Sequence, residues 1–522
     1  MRQIGTASAI ASAPARVALG SLLVAVSLSG CGGGEPASSV VVATTTSLYD
    51  TGLIDTLVAR FEQVNPDLDV KVLSVGTGQA LAIGARGDAD IVLAHAPDAE
   101  LDFVRQGHGR RRVTFMRNDF VIAGPPEDPL GLRDLDGDEP ALGALSVIAG
   151  SGSQFLSRGD DSGTHKRELA LWTASGVSPV APWYQESGQG MGSTLVIAAE
   201  RRAHVLTDRA TLTVLGAAVD LQPLVSGGVQ LENVYSVMLT TASTNPGGGA
   251  RFWQWVLSGE TQTVISGFGV RRFGAPLFAT LPFEPPDEEA VRDSSRSINP
   301  FVLAWQLLTS GDAYVVDIVF RSLAISGTAL LLAVVIGLPI GITLALSRFR
   351  ARTPLVALIN TGLAFPPVVV GLTVFLLLSR AGPLGPLGLL YTPGAVVLAQ
   401  VILAGPYVVA VSLAALESVP ADVRMQARGL GASRWQALLL HLREARASLV
   451  AAVAAAFGAV ISEVGAVMIV GGNLLGETRV MTTAIVLETR RGNFGVAIAL
   501  GVVLLVIAFL INLGLTLFHA RG

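Results

Sequence analysis

The sequence predicts two fold classes in series: an α/β domain built on a parallel sheet, then an all-α transmembrane bundle of about five helices. Three observations predict this. Hydrophobic residues make up 51% of the 522 residues and charged residues 15%, where a soluble domain carries roughly 25% charged. Mean hydropathy is +0.56. The apolar content is unevenly spread: up to about Pro286 short apolar runs alternate with amphipathic stretches, and after about Asn299 long uncharged runs take over. The net charge of −4, with no basic block and no acidic tail, gives no reason to expect a nucleic-acid partner or a disordered interaction tail.

The first 30 residues carry Arg2 and Arg16, an apolar run from Val17 to Leu28, and then Leu28-Ser29-Gly30-Cys31. A charged start, a short apolar stretch and small residues before a cut are the layout of a secretory signal, 1–30. Leu-Ser-Gly-Cys resembles a bacterial lipobox, which implies lipidation at Cys31, the single cysteine. One thiol forms no internal disulfide.

Residues 38–284 read as the soluble domain. Val40-Val41-Val42-Ala43 and Ile91-Val92-Leu93-Ala94 look like buried strands, and Leu53 to Val64 places Leu53, Leu57, Val58 and Phe61 on one helix face. Alternating strands and helices favour a parallel sheet covered on both faces. The polar, Pro-containing stretch 285–300 reads as a linker. In 301–522, five runs are long and apolar enough to cross a membrane, near 318–347, 354–379, 393–416, 447–472 and 494–518. Phe301 to Leu308, with Trp305, reads as a short interfacial helix. Prolines in Gly337-Leu338-Pro339 and Phe365-Pro366-Pro367 are expected to kink their spans.

Loop charges orient the bundle. Arg348, Arg350, Arg352, Arg424, Arg428, Arg434, Arg443, Arg446 and Arg521 fall on one side, and Arg380, Arg479, Arg490 and Arg491 on the other. The nine-to-four bias puts the C-terminus in the cytoplasm and the soluble domain outside, the side the signal also requires.

Two loops of the soluble domain carry anion-binding chemistry. Thr44-Thr45-Thr46-Ser47 follows the first strand, and Ser157-Arg158-Gly159-Asp160-Asp161-Ser162-Gly163-Thr164-His165-Lys166 precedes a helix near Glu168 to Trp172. Hydroxyls and free amides at a helix N-terminus favour negative charge, glycines let the backbone close on a small ligand, and Arg158 adds a planar fork of donors. Gly76-Thr77-Gly78 supplies a third donor loop. For Thr44 to Ser47 an ordinary helix cap is the competing reading. Asp160 and Asp161 either orient Arg158 and cap the helix, or accept a proton from a protonated oxyanion such as hydrogen phosphate. His95, His108, His165 and His204 have no metal-ligand spacing, and a packing role for His95 is favoured over a place in the cleft.

These two loops, with Asn118-Asp119-Phe120-Val121-Ile122-Ala123-Gly124-Pro125 and Thr207-Asp208-Arg209-Ala210-Thr211, resemble extracytoplasmic tungstate-binding proteins. The resemblance implies a two-lobed periplasmic-binding-protein fold, type II-like, with crossovers near Asn118 to Gly124 and Val234 to Met238. It implies oxyanion contacts at Thr45, Thr46, Ser47, Arg158, Ser162 and Thr164. The donor loops add Thr77, Gly78 and Gly163. The Arg-x-x-x-Ser-Gly-Thr core is also similar to phosphate-binding proteins.

In the second half, Ala427-Arg428-Gly429-Leu430-Gly431-Ala432-Ser433-Arg434-Trp435-Gln436 resembles the cytoplasmic coupling loop of ABC permeases. Met425-Gln426-Ala427 stands where that family has Glu-Ala-Ala. The resemblance implies an ATPase-docking helix using Ala427, Gly429, Gly431, Ala432 and Arg434. Ser462 to Asn473 and Thr478 to Ile485 are similar to tungstate permeases. Glu463, a charge in an apolar run, is expected to have a structural or gating role. The only lysines, Lys71 and Lys166, fit no P-loop, so a separate ATPase subunit is expected, with ATP used there and no cofactor or metal on this chain. The whole then resembles a tungstate ABC importer subunit in a bacterial cytoplasmic membrane, working as a homodimer among membrane lipids. Molybdate, phosphate or sulfate as cargo are the alternatives. A membrane oxyanion sensor would add a cytoplasmic signalling domain, and a fused enzyme would need a catalytic set that the sequence lacks.

Overall fold

The computed structural model describes residues 38–282 and 300–520, apart from 136, 138, 348 and 492. The signal 1–30, the Cys31 lipidation site, most of the linker, Arg348 and Arg521 lie outside the described residues.

Among the described residues the soluble half holds ten strands: β1 (Ser38–Thr45), β2 (Leu68–Val75), β3 (Ile91–Ala94), β4 (Gly109–Gly124), β5 (Phe155–Ser157), β6 (Tyr184–Glu186), β7 (Val205–Asp208), β8 (Gln222–Ser226), β9 (Glu232–Thr240) and β10 (Ala279–Thr280). The first lobe is the sheet β10-β4-β9-β3-β1-β2. β1 and β3 are apolar because helices cover both faces: Val40, Val42, Ala43, Ile91 and Val92 are fully buried. The Leu53–Val64 helix lays Leu53, Ile54, Leu57 and Phe61 into this core, where Phe61 meets Phe252 edge-on at 5.0 Å.

β4 is 16 residues long and serves both lobes. Its first part pairs with β9, and Phe120 to Gly124 pair with β7 and β8 in the second lobe. The crossover therefore sits where Asn118 and Asp119 face Asn233 and Glu232. The second lobe has a core of its own around Phe120, Ile122, Ile148, Phe155 and Trp172. Only β2-β1-β3 and β5-β6 are parallel; β4 and β9 run antiparallel to their neighbours. The wholly parallel sheet expected from alternation is thus corrected to a mixed one, because the chain passes between lobes on strands that return through the same sheet.

Among the described residues of the second half, three helices are long and apolar enough to cross a membrane: Ala313–Leu346, Pro393–Glu417 and Phe494–Gly514. The first two pack closely through a stripe of small residues, Ala329, Ala333, Gly337 and Gly341, all buried, as expected where no water drives helices together. A Cβ on Gly341 would meet the Ser412 Cβ at 3.0 Å.

Two expected spans are broken. The run 354–379 forms Arg352–Gly362 and Pro367–Leu378, bent by 101°. Pro366 and Pro367 donate no N–H and hold the preceding residue out of the helical region. The run 447–472 forms Arg446–Ile461 and Gly465–Gly471, the first about 24 Å long. In contrast, Pro339 stays inside a continuous helix. The expected interfacial stretch is the Pro300–Ser310 helix, with Phe301 and Trp305 exposed.

Candidate anion site between the lobes

Strand C-termini and helix N-termini of both lobes converge on one cleft. β1 ends at Thr45 and a helix begins at Thr46; another begins at Thr77. From the second lobe come β5, ending at Ser157, and the helices Gly163–Ala174 and Met191–Arg201. This carboxyl edge is where α/β sheets place ligands.

The lobes are closed on each other by polar contacts. Arg158 Nη2 donates to Thr46 Oγ1 at 3.1 Å, and the Gly163 amide donates to Thr77 Oγ1 at 3.0 Å. The Gly78 amide donates to the Asp161 carbonyl at 3.3 Å. Close approach favours glycine at both positions, most strictly at Gly163, where the His95 backbone carbonyl is also 2.7 Å from a Cβ. A Cβ on Gly163 would lie 2.7 Å from the His95 ring, and one on Gly78 would overlap the Asp161 carboxylate.

Arg158 is 1% exposed. Its Nη2 pairs with Asp160 Oδ2 at 2.5 Å, while Asp160 Oδ1 accepts from the Ser162 amide and hydroxyl at 3.2 and 2.6 Å. Of the two readings of Asp160, the geometry is that of an orienting group. Asp161 faces Lys166 Nζ at 2.5 Å, and Ser162 caps the Gly163–Ala174 helix by accepting from the His165 amide. Thr44 Oγ1, Thr164 Oγ1 and Arg158 Nε are buried without a protein partner. Thr45 Oγ1 lies 3.2 Å from Ser47 Oγ, which lies 3.3 Å from the Tyr235 hydroxyl.

Behind these loops lies a layer that the sequence did not reveal. His95 stacks on Tyr235 at 4.8 Å and donates Nδ1–H to Asn233 Oδ1 at 2.8 Å. Asn233 Nδ2 donates to Asn118 Oδ1 at 2.6 Å. His95 is thus a packing residue and a cleft residue at once. Burial, with the Arg158 charge nearby, lowers its pKa to about 4, so the ring is neutral at pH 7. Asp208 caps the next helix through the Thr211 amide, and burial raises its pKa. Asn233 and Tyr235 sit over a hundred residues from their partners, so no local pattern announces them. Ser187-Gly188-Gln189-Gly190 did carry a readable signal, the same small and hydroxyl pattern before a helix.

The far side of the Arg158 loop rests on the membrane half. Arg491 donates to the Gly159 carbonyl and, at 3.1 Å, to Glu186 Oε2. The Glu186 carbonyl accepts from the Leu475 amide at 2.9 Å and from Arg479 at 3.2 Å. Arg201 reaches Glu477 and the Tyr391 carbonyl, both at 2.6 Å, and the Arg380 amide reaches Glu200 at 3.0 Å. Met191, Leu195 and Ile197 share one apolar cluster with Val370, Val396, Val470 and Leu474.

The other predicted residues lie elsewhere. Ala427 and Gly429 fall in the Ala421–Gly429 helix, Gly431 and Ala432 in the turn after it, and Arg434 at the start of the Arg434–Glu444 helix. Ser433 and Gln436 form a capping box there. Glu463 sits at a helix break, where its Oε1 accepts from the Ala466 amide at 2.9 Å. Among the described residues, no three His, Cys, Asp or Glu side chains group as a metal site.

Two family profiles divide the chain. The PBP superfamily domain matches residues 32–260, and the binding-protein-dependent transport system inner membrane component matches 337–521. The tungstate-binding protein TupA of Peptoclostridium acidaminophilum is 39% identical over 49% of this chain and 94% of its own length. The tungstate uptake permease TupB of the same organism is 41% identical over 41% of this chain and 93% of its own length. This chain belongs to both families, joined as one polypeptide. A solved structure described as the tungstate ABC transporter from Geobacter sulfurreducens is 40% identical, covers 45% of this chain and 100% of its own, and has a TM-score of 0.41. The chain is therefore a membrane protein with a binding-protein domain followed by a permease domain, and both families are non-enzymatic.

Proposed function

We propose that this chain is the capture and permease subunit of an ABC importer for tungstate. The observation that carries the reading is the closed polar cleft around buried Arg158, packed on a permease within the same chain. A dianion there meets hydroxyls, helix N-termini and an arginine whose charge Asp160 already matches, so it is held by dipoles more than by net charge. The tungstate names of the relatives on both halves support the cargo. Thr45, Thr46, Ser47, Thr77, Gly78, Arg158, Ser162, Gly163 and Thr164 are the proposed contacts.

The fixed role of Asp160 favours an unprotonated dianion over hydrogen phosphate. Met425, Leu430 and Trp435 are exposed at 63%, 90% and 73% around the coupling motif, a surface suited to a separate ATPase subunit. The binding domain packs on Arg380, Glu477, Arg479 and Arg491, all on segments that loop charges assign to the outside. That supports an extracytoplasmic binding domain in a bacterial cytoplasmic membrane and a cytoplasmic coupling surface; a second copy completing the pore belongs to the same proposal. Cys31 lipidation belongs to the same proposal.

The test is calorimetric titration of the full chain in lipid nanodiscs with tungstate, molybdate, sulfate and phosphate at pH 7. Tight tungstate binding over sulfate and phosphate, weakened by Arg158→Ala, supports the reading. Preferential phosphate binding overturns the cargo.

A further inference from the structure

The permease touches both lobes of the binding domain with two residues three positions apart. Arg491 closes the Met481–Arg491 helix, and Phe494 opens the Phe494–Ala520 helix. Arg491 holds the second lobe by the Gly159 carbonyl and the Glu186 carboxylate. Phe494 holds the first lobe, with the Arg86 guanidinium 5.5 Å above its ring.

Both holds lead straight into the cleft. Gly159 follows Arg158, and Glu186 pairs in register with Ser157. Arg86 ends the helix that begins at Thr77, whose hydroxyl accepts the Gly163 amide across the cleft. Arg491 is itself anchored, its Nη1 3.1 Å from Glu488.

We infer that Arg491 and Phe494 form a strap that keeps the cleft shut while the binding domain is docked. The inference rests on the tungstate reading above. Both contacts are present with the lobes closed; a permease that keeps both while docked favours the closed form by their combined energy. By reciprocity, bound oxyanion strengthens docking by the same factor. Separation of these two helix ends during the transport cycle would then release the lobes and lower the affinity.

The strap makes a prediction that two independent contacts would not. Arg479 and Arg201 also hold the second lobe, but the link from that lobe to the first runs through Arg491 and Phe494, so losing either end breaks the link and the double variant should behave like either single one. Tungstate binding is measured on the full chain in nanodiscs, by titration for affinity and by chase with excess molybdate for the dissociation rate. The set is wild type, Arg491→Ala, Phe494→Ala and the double variant, each checked for a monodisperse gel-filtration profile.

Each single variant is expected to weaken tungstate binding roughly 5- to 150-fold, the usual range of coupling between sites. The loss should appear as faster dissociation, and the double variant should fall within about twofold of the singles, outside simple additivity. Arg491→Lys, which keeps the charge, should recover part of the loss. Affinities equal to wild type, or single losses that add in the double variant, would overturn the strap. A wild-type chain that does not bind tungstate would instead overturn the functional reading beneath it.

Discussion

Two polar interfaces lie back to back around the Ser157–Gly159 segment, and they are built from different chemistry. The cleft joins the lobes by hydroxyls, backbone amides and glycines, with Arg158 neutralised inside its own loop. The seam joins the binding domain to the permease by arginines facing glutamates and carbonyls, including Arg201 on Glu477 and Arg491 on Glu186, over an apolar bed. A small dianion is held well by dipoles that need no counter-ion. A docking surface needs charges placed to fix one orientation, since complementarity specifies register more than it adds affinity.

The sharpest way to break the contrast is Arg158→Ala. It removes the buried cleft arginine and leaves Asp160 buried beside Ser162, so oxyanion affinity should fall by about 2–5 kcal/mol, read by titration of the full chain. Retained affinity would mean that dipoles alone suffice.

Glu168 adds a pH test next to the cleft. Burial raises its pKa to about 7, against opposing hydrogen bonds from Tyr184 and Trp172. An acid whose folded pKa is raised keeps its proton in the folded state after the unfolded chain has lost it. The contribution of Glu168 to stability is therefore greatest below about pH 4.5 and is lost as pH rises to about 7, by about 3 kcal/mol in all. Glu168→Gln should flatten that decline in thermal unfolding measured from pH 5 to 8.

Gly163→Ala places a methyl against the His95 ring, and such overpacking costs about 1–3 kcal/mol. It should weaken tungstate binding with little effect on docking. The smallest effect on the cleft belongs to the part of the seam that lies outside the Arg491–Phe494 strap. Arg201→Ala removes the bonds to Glu477 and the Tyr391 carbonyl, so cellular tungstate uptake should drop while affinity stays within about threefold. An affinity loss as large as that of Arg158→Ala would erase the distinction between the two surfaces.

Local pattern carried much of this molecule. The Leu53–Val64 helix and the Ile91–Ala94 strand have the bounds read from periodicity alone, because a buried face imposes its period on the sequence. The hydroxyl loops were legible because small and hydroxyl residues cluster where a helix starts, although Ser162 caps its helix through the side chain and Thr45 does not. The His95–Asn233–Tyr235 layer was not, since it forms only when β4 and β9 bring distant residues together. The seam was also hidden. Arg380, Arg479 and Arg491 register in the sequence as loop charges, and nothing in one strand of text says which glutamate they face. The bend of 101° after Gly362 was signalled by Pro366 and Pro367, but its size depends on packing that the motif does not contain.

Capture domain and permease are one translation product, and that has a kinetic consequence. Docking is a first-order event whose frequency does not fall when the surrounding compartment swells or its contents are diluted, because the tether sets a local concentration of roughly millimolar. Every channel carries its own receptor in fixed ratio, so scarce receptor cannot starve it. Uptake per channel should then saturate with external oxyanion at a level that does not depend on how much receptor the cell makes separately.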